Sequence, residues 1–124
     1  MMALCLLVSV VDDDESVREA LPDLLREFGY AVRAFPSAEA FLGSDCVSQT
    51  GCLILDIAMP GMSGLELQRA LRLRGRTIPI VFITAHGDEA VGPYVLAQGA
   101  VACLLKPFSE ASLLAALSAA FRAD

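Results

Sequence analysis

Five side chains in this sequence carry charge or a hydroxyl at the end of an apolar run. Asp12 and Asp13 follow the run ending at Val11, Asp56 follows Cys52–Leu55, Thr84 closes the run from Ile78, and Lys106 follows Leu105. Carboxylates brought together repel: two unit charges about 4 Å apart cost roughly 1 kcal/mol in water and about 4 at an effective dielectric of 20. A hard divalent cation such as Mg²⁺ or Mn²⁺, bound by carboxylate oxygens and waters, offsets that repulsion. Lys106 adds a second positive charge and Thr84 a hydroxyl donor. Such a set is suited to holding a phosphoryl group, because an aspartate carboxylate can be the nucleophile that forms an aspartyl-phosphate while metal and lysine neutralise the transferring oxygens. Asp56 alone reads equally well as a cap on the turn that follows it. The elements must decide whether these groups meet.

Those elements alternate. Ala3 to Val11 reads as a first buried strand, followed by a helical stripe of Val17, Ala20, Leu21, Leu24, Leu25 and Phe28 that Gly29 stops. Asp14 is placed to cap that helix, and Pro22 inside it predicts a bend or a late start. Tyr30 to Phe35 is a second strand, Ser37 caps a short helix ended by Gly43, and Ser44 to Gly51 is a polar loop. Cys52 to Asp56 is apolar throughout, the pattern of a strand buried on both faces, and it turns through Pro60 and Gly61. Ser63 and Glu66 have capping-box spacing and open a third helix to about Arg74, with Gly75 beyond it. Arg69, Arg72, Arg74 and Arg76 make its end a solvated basic face that suits the negative helix pole. Ile78 to Thr84 is a fourth strand. A fourth helix starts uncertainly around Gly92-Pro93 and ends at Gly99. Ala100 to Leu105 is the fifth strand, and Ser109 caps a last helix carrying Leu113, Leu114, Leu117 and Phe121. Five βα repeats with short connections predict an α/β fold, a doubly wound parallel sheet of flavodoxin-like strand order 2-1-3-4-5. The strand ends carrying the five polar groups then share one edge.

Length and charge bound the rest. The 124 residues make one domain, 1–124, with no internal linker. The apolar fraction is 56%, yet no run approaches the roughly 18 residues that span a bilayer. Met1 to Val11 lacks a basic start and a small-residue cleavage site, so it reads as a strand and predicts a cytoplasmic protein without membrane association. The net charge of −6 argues against direct contact with nucleic acid, although such a domain can regulate a DNA-binding partner. Cys5, Cys46, Cys52 and Cys103 form no CxxC pair and His86 is the single histidine, so the cysteines read as reduced core residues, not zinc ligands.

Taken in order, Val10-Val11-Asp12-Asp13-Asp14, Leu55-Asp56-Ile57-Ala58-Met59-Pro60-Gly61-Met62-Ser63-Gly64, Ile83-Thr84-Ala85-His86 and Leu105-Lys106-Pro107-Phe108 resemble the receiver domain of two-component response regulators over its whole length. The wording of Phe35 to Leu42 is similar to the FixJ-like branch, whose receivers usually precede a LuxR-type helix-turn-helix domain. The resemblance implies that Asp56 accepts phosphate from a sensor histidine kinase. It implies Mg²⁺ on Asp13, Asp56 and the backbone carbonyl of Ala58, with Asp12 acting through water. Thr84, with Ala85, would bind the phosphoryl oxygen and move on activation. Lys106 would form the ion pair, aimed by Pro107 after a cis peptide bond. Ala58 and His86 fall where family members tune dephosphorylation. The domain would catalyse only its own phosphorylation and dephosphorylation, and would reach DNA through an output domain not contained in these residues.

Two departures stand out. Cys103 occupies the position where receivers usually carry a switching aromatic ring. Tyr94, Ala97, Ala102 and Leu105 stand where relatives usually present polar groups, which predicts an apolar face on helix four, strand five and helix five, suited to homodimerisation. Two other readings compete: a pseudo-receiver or constitutive dimerisation module with little dependence on phosphorylation, and a haloacid-dehalogenase-type phosphatase built on Asp12-Asp13-Asp14.

Overall fold

The computed structural model describes residues 7–85 and 90–122. Five strands, β1 (Leu7–Val11), β2 (Ala31–Phe35), β3 (Thr50–Asp56), β4 (Ile80–Thr84) and β5 (Ala102–Leu105), form one parallel sheet in the order β2-β1-β3-β4-β5. Five helices, α1 (Glu15–Glu27), α2 (Ala38–Leu42), α3 (Gly64–Leu73), α4 (Val91–Ala97) and α5 (Glu110–Arg122), alternate with them. The predicted topology is the observed one.

The continuous apolar strands serve two cores at once. On β3, Cys52 and Ile54 join Leu21 and Leu25 of α1 and Leu113 and Leu117 of α5, while Leu53 and Leu55 join Phe41 of α2, Leu67 and Leu71 of α3 and Val95 of α4. Side chains alternate across a strand, so a strand covered on both faces must be apolar at every position. Each fully buried Leu, Ile or Phe contributes roughly 1.5–3 kcal/mol by leaving water. Cys46 and Cys52 are buried free thiols, and burial pushes the Cys52 thiol up to about 12.

Several boundaries differ from those read along the sequence. Residues 3–6 of the first strand lie outside the described residues, as does Cys5. The stretch from Ser44 is less polar in fact than in composition: Cys46 and Val47 are buried and Thr50 already belongs to β3. The Thr50 hydroxyl donates to the Cys46 carbonyl (2.7 Å) and accepts from the Ser9 hydroxyl (2.7 Å), so a buried polar pair is satisfied internally. Pro22 sits within α1, yet the helix starts at Glu15 with no delay, because Asp14 caps it by accepting from the Ser16 amide (3.0 Å). Ala20 and Leu114 are exposed and drop out of their apolar stripes. Strands four and five begin two residues later than the apolar runs do.

The sheet edge that carries the polar groups is fixed by backbone. Beyond the paired strands, Asp12 donates to the Phe35 carbonyl, Ile57 to Ile83 and Lys106 to Thr84. Helix α3 then begins against the end of β3: the Gly64 amide donates to the Ile57 carbonyl (2.9 Å), and Ser63 and Glu66 close the expected capping box. A Cβ at Gly64 would run into the Asp56 carbonyl and lie 3.0 Å from the Ile57 Cα. Backbone cannot yield as a side chain can, so Gly64→Ala is expected to lower stability by about 1–3 kcal/mol. Gly92→Ala is the control. Its Cβ would meet Cys103 only at ordinary contact distances, 3.8–3.9 Å, so it should be neutral or stabilising by up to about 1 kcal/mol. Urea unfolding of both variants checks the contrast.

Candidate phosphoryl and metal site

Asp12, Asp13 and Asp56 bring one carboxylate oxygen each to within 4.8 Å of one another. Asp12 follows β1 and Asp56 ends β3, which are neighbours in the sheet, and Asp13 follows Asp12 into the β1–α1 turn. Their environments are unequal: Asp12 is 0% exposed, Asp56 is 6% exposed, and Asp13 is open to solvent.

Asp12 is built into the fold as a fixed negative charge. One carboxylate oxygen, Oδ1, accepts from the Asp14 amide (2.9 Å). The other, Oδ2, lies 3.0 Å from Lys106 Nζ and forms the ion pair with it. Arg18 of α1 donates to the Asp12 backbone carbonyl (2.9 Å) and pins the turn from behind. Burial works against the Lys106 charge, but hydrogen bonding and attraction to Asp12, with Asp56 and Asp14 behind it, raise its pKa overall. Lys106 precedes the Pro107 cis peptide bond expected from the resemblance.

Asp56 carries the opposite perturbation. Burial first, and the charge of Asp12 second, push its carboxyl up to about 7, with Lys106 pulling the other way. Three carboxylates facing one lysine leave excess negative charge in a confined space. An all-oxygen donor set of this kind, with more carboxylates than the one lysine can neutralise, fits a hard divalent cation. Among the described residues, the cluster includes none of the thiolate or imidazole ligands that zinc prefers.

Thr84 closes β4 one residue beyond Ile83, the register partner of Asp56, and is 3% exposed. Its hydroxyl is 3.4 Å from the Ala85 carbonyl, and its own carbonyl holds the Lys106 amide (2.9 Å). Ala85 is exposed at the same strand end, and the Ala58 side chain is exposed in the β3–α3 turn two residues past Asp56. His86 lies outside the described residues. The β3–α3 turn is held by Glu39 of α2, whose carboxylate accepts from the Met62 amide (3.1 Å). Neither Arg18 nor Glu39 belongs to a local pattern, since one acts six residues back and the other twenty-three residues on. Asp14 is committed to the α1 cap, and its bonds with Ser16 hold its carboxyl below the usual range.

Cys103 of β5 is half-buried and burial raises its thiol pKa. It packs on the Gly92 side of α4, so two small residues meet where a ring would stand. Of the face singled out in the sequence, Ala97 and Leu105 are exposed and Ala102 is partly buried. Tyr94 is 54% exposed but lines a groove with Arg69 and Arg72 of α3. Leu96, 48% exposed, is the other large apolar side chain of α4 open to solvent.

The chain matches the family model described as response regulator receiver domain over residues 8–118. It is 46% identical to the response regulator protein TodT of Pseudomonas putida strain F1 over 115 residues, 93% of this chain and 51% of that protein. It is 42% identical to the transcriptional regulatory protein FixJ of Azorhizobium caulinodans over 112 residues, 90% of this chain and 53% of that protein. Among solved structures, the response regulator StyR superposes with a TM-score of 0.86 at 49% identity, covering 94% of this chain and 59% of that one. FixJ-N superposes with a TM-score of 0.84 at 38% identity, covering 94% and 93%. The chain spans about half the length of these curated relatives.

The raised Asp56 carboxyl has a signed consequence. A carboxyl whose folded pKa lies above its unfolded value of 3.8 holds a proton in the folded state that the unfolded state releases. Without divalent cation, stability therefore falls as pH rises from about 4 to about 7. At pH 8 Asp56→Asn should be more stable than wild type by on the order of 2–4 kcal/mol, with the difference shrinking at pH 4. Millimolar Mg²⁺ should raise the melting temperature of wild type at pH 8 and affect Asp56→Asn less. Thermal melts of both proteins across pH check this.

Proposed function

The chain belongs to the response regulator receiver domain family of two-component signalling, and from that premise we propose that Asp56 is its phosphorylation site. The observation that carries this reading is the convergence of Asp12, Asp13 and Asp56, with Lys106 paired to Asp12 at the same edge. The haloacid-dehalogenase alternative is set aside by family membership and by the commitment of Asp14 to a helix cap.

In the proposed reaction an Asp56 carboxylate oxygen attacks the phosphorus of a phosphohistidine on a sensor kinase. The O–P bond forms, the P–N bond breaks, and the departing imidazole takes up a proton. Asp13, Asp56 and the Ala58 carbonyl would hold Mg²⁺ or Mn²⁺, with Asp12 acting through water. When bound, the ion supplies charge neutralisation on the phosphoryl oxygens. Lys106 turns part of its charge from Asp12 towards the new phosphate. The Thr84 hydroxyl, now directed at the Ala85 carbonyl, donates to a phosphoryl oxygen instead, moving the β4–α4 connection. Water attack on phosphorus later returns the carboxylate and releases phosphate, at a rate that Ala58 and His86 tune through water access. With Cys103 against Gly92, the readout does not use an aromatic ring at that position.

The output surface is the face of α4, β5 and α5, where Leu96, Leu105 and Leu114 are 48%, 40% and 36% exposed. A second copy is the proposed occupant, with DNA reached through an output domain like those expected in the full-length relatives, and the protein working in the cytoplasm. No helix among the described residues is long and apolar enough to cross a membrane.

Incubation with a small phosphodonor and Mg²⁺ should label wild type, while Asp56→Ala takes no label. Labelling of Asp56→Ala at the wild-type rate would overturn the assignment. Cys103→Ala should label within about twofold of wild type, since its thiol lies outside the acidic cluster. Separately, Leu105→Glu should weaken dimerisation of the phosphorylated domain at least about tenfold, on the order of 1.4 kcal/mol, as read by sedimentation. Unchanged dimerisation would remove this face from the output.

A further inference from the structure

The basic end of α3 does more than complement a helix pole. Four of the nine Lys and Arg residues of this acidic chain fall between Arg69 and Arg76, and all four are exposed. Arg72 clasps the end of α4, donating to the Gln98 carbonyl (3.0 Å) and side-chain oxygen (3.4 Å). Cavities of about 410 and 340 Å³ share Gln68, Arg72 and Gln98 in their walls, so they form one groove along α3 and α4. Arg76 lines one part and Arg69 with Tyr94 the other. Within it Gln68 is only 9% exposed, and its amide makes no hydrogen bond among the described residues. Its amide is therefore a donor open to an acceptor entering the groove. Glu66, the acid at the groove wall, already accepts from the Ser63 amide in the capping box.

The chain carries a matching surface. Glu15, Glu19, Asp23 and Glu27 are exposed and four residues apart, forming one acidic ridge along α1. Between residues 15 and 27 that ridge is about 18 Å long, against about 15 Å for the ten residues of α3. The cations near the ridge are partly committed: Arg18 donates to the Asp12 carbonyl, and Arg26 lies 3.5 Å from Asp23. Helix α1 packs on one core and α3 on the other, on opposite faces of the sheet. The ridge therefore cannot reach the groove of its own chain.

We propose that the α3–α4 groove receives the acidic α1 ridge of a second copy, with carboxylates taking up the Gln68 amide and the Arg69 and Arg76 guanidinium groups. Such a contact is head-to-tail, so it leaves a free ridge and a free groove at its ends and builds short open chains. It is independent of phosphorylation and of the apolar α4–β5–α5 face. Exposed ion pairs are individually weak and screened by salt, so the association is weak and ionic-strength dependent.

Sedimentation of the 124-residue chain at millimolar concentration tests it. In about 20 mM salt the average mass should exceed the monomer, and in about 0.5 M salt it should return to it. Arg69→Glu with Arg76→Glu, which spares the Arg72 clasp, should weaken association at least tenfold. Glu19→Arg with Asp23→Arg should do the same from the other side. Mixing the two reversed proteins should restore it, because each supplies the charge the other has lost. Thermal melts confirm that each variant is folded, and either reversal alone is informative. A strict monomer in low salt, association that survives both reversals, or failure of the mixture to associate would overturn the proposal. Association that persists in high salt and is lost only with Leu105→Glu would assign self-contact to the apolar face instead.

Discussion

The Asp12–Lys106 ion pair is the interaction on which the rest of the site depends. A carboxylate with no exposed surface and a half-buried ammonium lie 3.0 Å apart at the end of the sheet. Removing either partner leaves the other as an uncompensated buried charge, the situation in which breaking a pair is most destabilising. The pair neutralises only part of the local charge. Asp56 and Asp13 remain beside it, and Asp56 responds by holding its proton to about pH 7. The fold thus maintains a surplus of oxygen donors at one edge, and that surplus makes the edge receptive to a cation.

Holding such a cluster requires scaffolding that does not give way. Backbone hydrogen bonds beyond the paired strands fix Asp12 to β2, Ile57 to β4 and Lys106 to Thr84. Gly64 allows α3 to start directly against the Asp56 carbonyl, and Glu39 reaches across from α2 to hold the intervening turn. Most of these contacts join residues more than twenty apart in the chain. The site is accordingly tied to the sheet itself. Between β5 and α4, Cys103 faces Gly92, two small residues in contact.

Much of this was legible in the sequence because the signals are local or periodic. Unbroken apolar runs identify β3 and β4, capping residues identify the starts of α1, α2, α3 and α5, and glycines at 29, 75 and 99 adopt the positive φ that ends helices. The polar look of Ser44–Gly51 misled because the pattern cannot show that Cys46 and Val47 fold under the loop. Pro22 was compatible with an undelayed α1, since Asp14 fixes its start. Tyr94 stands with Ala97, Ala102 and Leu105 by chain position, and in the structure it is exposed and also lines the groove with Arg69 and Arg72.

By itself, the sequence determined the order of elements, the parallel sheet and the set of reactive groups, because burial on two faces demands continuous apolar strands and leaves polar residues only at their ends. Tertiary structure decided how those groups divide the work. It buried Asp12 against Lys106, exposed Asp13, raised the Asp56 carboxyl and spent Asp14 on a cap. It also recruited Arg18 and Glu39, and it set the basic groove and the acidic ridge on opposite faces. Charge and residue type are written along the chain. Desolvation and distance, which set what each charge is worth, exist only once the strands are side by side.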